Sequence, residues 1–120
     1  MGMMGRNHAR VLSTLSGVEF VGISDPIQPD GVDRGYLGGR VFKETHDLLH
    51  QGLDYCVIAA PTGFHKEIAL EAIDMGVNCL IEKPVALSYS DGLEIQEKAN
   101  ACIFAPVACS MPVIRRICIP

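Results

Sequence analysis

No apolar run in these 120 residues approaches the roughly 20 needed to span a bilayer. The first residues also lack the charged stretch, apolar stretch and cleavage site of a secretory leader. A membrane is therefore not an expected partner, and the cytoplasm is the expected compartment. Basic residues are scarce as well. Ten Lys and Arg stand against fourteen Asp and Glu, giving a net charge of −4 and a pI near 5.4. That balance argues against a surface built to neutralise phosphate backbones, so nucleic acid is not an expected partner either. A C-x-x-C pair is missing, the five cysteines are odd in number, and Cys56 and Cys79 lie within apolar runs. Buried thiols are expected rather than disulfides or metal ligands, and no metal is expected. The absence of a 20-to-50-residue repeat or a low-complexity tract leaves a solenoid without support. What remains, 48% hydrophobic and 20% charged, has the makeup of one globular domain.

Within that domain, apolar patterning alternates between two periods. Val11, Leu12 and Leu15 share one face at helical spacing, predicting a helix from near Gly5 to Ser16 with Gly17 as its stop. The β-branched and aromatic run from Val18 predicts a strand ending at Asp25, before an Asp-Pro turn signal. From Pro26 to Arg40, two prolines and four glycines oppose regular structure and predict a loop. A short strand at 41–43 leads to Thr45, whose hydroxyl is placed to cap a brief helix ending at Gly52. The continuous apolar run from Tyr55 to Ala60 suits a parallel strand covered on both faces. A helix over 64–75, stopped by Gly76, follows. A second buried strand over 77–81 ends in Glu82-Lys83-Pro84, and Ser88 with Asp91 forms a capping box for a last helix through Leu93, Ile95 and Ala99. Strands alternating with helices predict an α/β fold, a parallel sheet with helices on its faces.

Three places carry chemistry. Gly2 and Gly5 match the later glycines of a G-x-G-x-x-G turn whose first glycine would precede Met1. Gly2 would let backbone approach a pyrophosphate and Gly5 would let the helix pack close to the sheet. Two glycines near a terminus can equally be mere flexibility. Asp25 stands twenty positions after Gly5, where dinucleotide folds place an acid that accepts hydrogen bonds from the adenosine ribose and repels a 2′-phosphate. An Asp before Pro can also simply start a turn. Spacing favours the ligand role, and with it NAD over NADP, although Arg34 and Arg40 could greet a phosphate. His8, His46 and His50 have no metal-ligand spacing and read as solvated or capping positions.

Ala59-Ala60-Pro61-Thr62-Gly63-Phe64-His65 after one strand, and Glu82-Lys83-Pro84 after the next, together with the opening Gly-Met-Met-Gly-Arg-Asn-His-Ala-Arg-Val, resemble the Gfo/Idh/MocA family of sugar and cyclitol dehydrogenases over about residues 2–100. The resemblance implies a Rossmann-like domain. In it Gly2, Met3, Met4 and Gly5 form the pyrophosphate turn, Asp25 is the ribose acid, and Pro61, Thr62 and His65 lie beside the cofactor. Glu82, Lys83 and Pro84 match the family's E-K-P motif. Lys83 is implied to be the catalytic lysine near the nicotinamide, an ammonium that stabilises the alkoxide developing as a secondary alcohol loses hydride and proton. A proline after it is suited to a cis bond. Taken alone, Lys83 could be an ordinary surface lysine and His65 a polar residue of a first helical turn.

The pattern departs from the family in three ways. The family's first strand, central in its sheet, has no counterpart ahead of Gly2. The crossover after Asp25 is a loop where the family has a helix, and the substrate domain with its acid and histidine motif does not appear. Residues 103–120, with three prolines and no family motif, read as a divergent tail, and a reading-frame shift near Ala105 is the hypothesis for it. The expectation is thus a partial dinucleotide-binding domain at 1–102, a fragment of an NAD-dependent dehydrogenase acting on a sugar, sugar nucleotide or cyclitol, inactive by itself. The alternative is a non-catalytic dinucleotide-binding or partner-binding module. A homo-oligomer would have to use an exposed strand edge or another surface.

Overall fold

The computed structural model describes residues 2–26, 39–102 and 115–120. Helix α1 (Met3–Leu12) is followed by strands β1 (Val18–Ser24) and β2 (Arg40–Phe42), helix α2 (Thr45–Leu49), strand β3 (Tyr55–Ile58) and a 3-10 turn (Thr62–Phe64). Helix α3 (His65–Asp74), strand β4 (Asn78–Ile81), helix α4 (Tyr89–Ala101) and strand β5 (Arg115–Ile119) complete the chain. The five strands form one parallel sheet in the order β2-β1-β5-β3-β4. Most of the expected loop over 26–40, with Arg34, and residues 103–114 of the expected tail, with Cys109, lie outside the described residues.

The alternation of β3 shows how the sheet divides the core. Cys56 and Ile58 point to one face and Val57 to the other, as a two-residue period requires. On the first face, Leu48 and Leu49 of α2 and Ile68, Ala69, Ala72 and Ile73 of α3 pack on Val21, Cys56, Ile58 and Cys118. Ile95 of α4 joins the same cluster. On the second face, among the described residues, α1 is the helix that packs: Ala9, flanked by Leu12, meets Ile23, Val57 and Ile119. A bulge in β1 reconciles the two sets. Phe20 pairs with Ile117 and Gly22 with Cys118, so Val21 is an extra residue that faces the first cluster while Phe20 and Ile23 face the second.

Helix ends follow local chemistry. Gly17, Gly52 and Gly76 all take positive φ, at 78°, 71° and 74°, the left-handed conformation that ends a helix or turn without a Cβ clash. Yet α1 stops at Leu12 rather than Ser16. The Ser13 and Thr14 hydroxyls donate to the carbonyls of Arg10 and Val11, offering those acceptors a partner other than the next helical turn. Thr45 does not cap α2. Glu44 occupies the cap position, and the Thr45 hydroxyl instead lies 2.8 Å from that of Ser24, fastening α2 to the end of β1. Ser88 does cap α4, accepting from the Asp91 amide at 3.1 Å and donating to its carboxylate at 2.6 Å.

Cys118, Cys56 and Cys79 form a row across β5, β3 and β4, the sulfurs of the last two 3.6 Å apart. The hydrogen bond to Cys79, and then burial, push the Cys56 thiol far up, and burial raises that of Cys118. These thiols fill core volume in their neutral form. The four described cysteines are free.

The centre of the sheet is closed by a pairing from another part of the chain. β5, which falls within the stretch read as a tail, fills the place between β1 and β3. With both flanks paired, the sheet has no gap at its centre.

Candidate functional site

Because every strand is parallel, all five carboxyl ends share one edge. From β1 the chain moves outward to β2 and then crosses to β3 and β4 on the other side. The direction of progression therefore reverses at the middle of the sheet, and open α/β sheets bind ligands in the crevice outside the carboxyl ends at such a reversal. Helix α1 runs back from that edge to the start of β1, so its amino end opens into the crevice.

The start of α1 is bare backbone. Gly2 caps it in extended conformation without a side-chain hydrogen bond, and a Cβ placed on Gly2 would meet nothing within 4 Å. The Arg6 amide closes the first turn on the Gly2 carbonyl at 3.2 Å, which leaves the amides before it outside the helical ladder and the positive end of the helix dipole turned outward. Met3 and Met4 are exposed, whereas Gly5 is buried against the sheet.

On one side of this turn stands Asp25. It follows the last residue of β1, is buried, and its amide donates to the Phe42 carbonyl at 3.0 Å, extending the ladder with β2 by one residue. On the other side the ends of β3 and β4 are locked together. His65, 1% exposed, has Nδ1 3.0 Å from the Pro84 carbonyl and Nε2 2.8 Å from the Ala60 carbonyl. Its ring thus bridges the Pro61-Thr62 loop and the Glu82-Lys83-Pro84 loop, with both nitrogens engaged by backbone. The Glu82 amide donates to the Ile58 carbonyl at 3.0 Å, and the Lys83-Pro84 bond is cis. The Lys83 side chain is exposed.

His8 is the residue that sequence reasoning missed. Read as solvated or capping, it is in fact half-buried, and its Nε2 lies 2.6 Å from Glu82 Oε1, joining α1 to the loop after β4. That hydrogen bond is the main cause holding the Glu82 carboxyl below the usual glutamate value, with the Lys83 amide, 3.3 Å from Oε2, adding to it. A helical signal was available: Gly5, His8, Ala9 and Leu12 form one i, i+3, i+4, i+7 stripe, the face that packs on the sheet. His46 and His50 do lie at the surface, His46 against Glu71 at 2.7 Å and His50 against the His46 carbonyl at 2.9 Å.

The residues matched to the cofactor site, Gly2 to Gly5, Asp25, Pro61, Thr62, His65 and Glu82 to Pro84, therefore belong to loops or helix starts at the same sheet edge, whereas Arg40, weighed for a phosphate, begins β2 and donates to the Gln51 side chain at 2.9 Å. Their side chains divide into two groups. His65 and Glu82 spend their polar atoms on partners within the chain, while the α1 amides and Lys83 face outward. Among the described residues no group of three or more His, Cys, Asp or Glu could hold a metal ion, and no helix is long and apolar enough to cross a membrane.

A family model described as an oxidoreductase family with an NAD-binding Rossmann fold, GFO_IDH_MocA, matches residues 1–102. The chain belongs to the Gfo/Idh/MocA family. Among curated relatives, the glucose-6-phosphate 3-dehydrogenase of Bacillus subtilis is 33% identical over 102 residues, covering 82% of this chain and 28% of that protein. The scyllo-inositol 2-dehydrogenase (NAD(+)) of the same organism is 27% identical over 120 residues, covering 97% and 34%. Among solved structures, the WlbA dehydrogenase of Bordetella pertussis, in complex with NADH and UDP-GlcNAcA, superposes with a TM-score of 0.73 at 29% identity, over 84% of this chain and 31% of that one. The myo-inositol 2-dehydrogenase of Lactobacillus plantarum gives 0.75 at 26% identity, over 84% and 31%. This Gfo/Idh/MocA chain spans about three-tenths of the length of such relatives, corresponding to their Rossmann domain.

Proposed function

We propose that this domain binds NAD along the carboxyl edge of its sheet and serves a dehydrogenase that oxidises a secondary hydroxyl of a sugar, sugar nucleotide or cyclitol. The observation that carries the reading is the shared edge: an acid after β1 and a lysine after β4 flank the amino end of α1 in one parallel sheet. The residues fit the cofactor. Gly2 leaves open space where a side chain would block a pyrophosphate, and the amides of Met3, Met4 and Gly5 supply donors aimed along the helix dipole. The Asp25 carboxylate suits two ribose hydroxyls and opposes a 2′-phosphate, which favours NAD over NADP.

When bound, the dinucleotide supplies the hydride acceptor. Lys83 then holds its ammonium near the substrate oxygen, where it stabilises charge as the proton departs. Pro61 and Thr62 line the trough between these two ends. His65 and Glu82 act as positioning residues, His65 by tying the loops after β3 and β4, Glu82 by tying the lysine loop to α1 through His8. Free thiols support a reducing, cytoplasmic setting. The relatives' printed names, acting on inositols, glucose 6-phosphate and a sugar nucleotide complex, support the substrate class.

Titration calorimetry with NAD and with NADP tests the reading. NAD is expected to bind more tightly than NADP, and Asp25→Ala is expected to weaken NAD at least about tenfold, a loss of roughly 1.4 kcal/mol, while narrowing the preference between the two. A folded chain that takes up neither dinucleotide, or an Asp25→Ala variant with unchanged NAD affinity, overturns it.

A further inference from the structure

In a dinucleotide-binding sheet, the phosphate turn joins the central strand to the helix that follows it. Here the two partners of that turn are far apart in sequence. The central strand is β5 and the helix whose amino end meets the same edge is α1. Their contact is direct, since Ile119, 2% exposed, sits in the cluster that seats Ala9 of α1 on the sheet.

The seating of β5 is specific in register as well as in place. The Arg116 amide donates to Asp54 Oδ2 at 2.8 Å, and the Asp54 amide donates to the Arg116 carbonyl at 2.9 Å. The Arg116 guanidinium donates to the carbonyls of Gln51 and Gly52 and lies 3.4 Å from the Glu19 carboxylate. Cys118 is fully buried opposite Cys56 in β3 and Gly22 in β1, and Pro120 is buried beyond it. A one-residue slip would turn Cys118 and Ile119 to the wrong faces and break the Asp54 bracket.

We propose that residues 115–120 are the positioning strand of the dinucleotide site: they fill the central slot of the sheet from far along the sequence, against the helix whose amino end meets the same edge. The phosphate-facing edge is then bipartite, with Ile119 and Pro120 on one side and Gly2 to Gly5 on the other. The ligand in this statement rests on the NAD-binding reading above, whereas the strand placement does not. Because α1 leans on Ile119, docking of β5 and binding at the start of α1 favour one another.

Two experiments on folding and one on binding separate the possibilities. Hydrogen exchange on the unaltered chain is expected to show the amides of Ile117, Cys118 and Ile119 protected to the same order as those of Cys56, Val57 and Ile58. Free-chain exchange rates over 117–119, with 56–58 protected, overturn the proposal. Next, residues 115–120 are moved ahead of Gly2 through a short glycine linker, in a chain that stops at Cys102. This permutant is expected to unfold cooperatively, to retain protection in the relocated strand, and to bind NAD within about threefold of the parent or more tightly, since the two halves are now joined. A permutant that fails to fold, or that loses NAD binding which the parent has, contradicts the proposal. If both chains show the protected central strand and neither binds NAD, the strand inference stands and the cofactor reading falls.

Discussion

The two faces of the sheet are unequally built. Among the described residues, three helices and a cluster of twelve buried residues cover one; one helix and four buried residues cover the other. The thinner face carries α1, the helix that begins with the glycine turn. Depth of burial therefore does not fix the site helix in the way it fixes α3. Contacts at its ends and edges must contribute: Ile119 beneath Ala9, and His8 reaching Glu82.

Truncating one side chain on each face is the strongest way to test that asymmetry. Ile58→Ala removes a fully buried side chain from the thick face, where neighbours on three helices cannot all relax into the cavity, and about 3 to 5 kcal/mol should be lost in urea unfolding. Ile23→Ala on the thin face, where α1 can settle inward, should cost about 2 kcal/mol, the low end of such substitutions. Equal costs would break the comparison. Next in size is His65→Leu, expected to cost about 2 to 3 kcal/mol because the ring that spans the Ala60 and Pro84 carbonyls is lost, and with it the hydrogen bond its N–H donates. The same unfolding measurement checks it.

Gly22→Ala probes the plane of the sheet rather than either face. A Cβ there would stand 2.2 Å from the Arg40 carbonyl oxygen, so β1 and β2 must part, at about 1 to 3 kcal/mol. Ser88→Ala, at the cap of the outermost helix of the thick face, should cost about 1 kcal/mol in thermal or urea unfolding.

The smallest effect belongs to the edge contact of the thin face. His8 holds the Glu82 carboxyl below its ordinary value of 4.5. A depressed carboxyl contributes stability above its unfolded value and loses it as pH falls through the folded one. The advantage of the wild type over Glu82→Gln should therefore be present above pH 4.5 and fade below it, as read from melting temperatures across an acid series. An advantage that persists unchanged at the acid end would show that the His8 contact is not its source.

How far the sequence discloses this depends on whether an element is made by its own residues. β3, β4 and α3 were legible because each is an apolar run or stripe of its own, stopped at Gly76 or ended at Glu82. That the candidate site residues gather at one sheet edge was legible for a similar reason: each stands at a strand end or a helix start that local patterns mark. β5 was not. Arg-Arg-Ile-Cys-Ile among prolines has little strand signal of its own and becomes a strand through two neighbours more than fifty residues away. His8 was obscured by the same non-locality, its partner being 74 positions distant. The early end of α1 had a local cause, the hydroxyls of Ser13 and Thr14, which compete with the helix for its last carbonyls.

The shared edge itself is tested most directly by mapping amide chemical shifts of the 120-residue chain as NAD is added. Saturable changes at Gly2 to Gly5, at Asp25 and at Lys83 together, with the far ends of the same strands unmoved, are the predicted result. A saturable response confined to the apolar surface around Leu87 and Leu93, or one that reaches Asp25 but never Lys83, would contradict a single site spanning the two halves of the sheet.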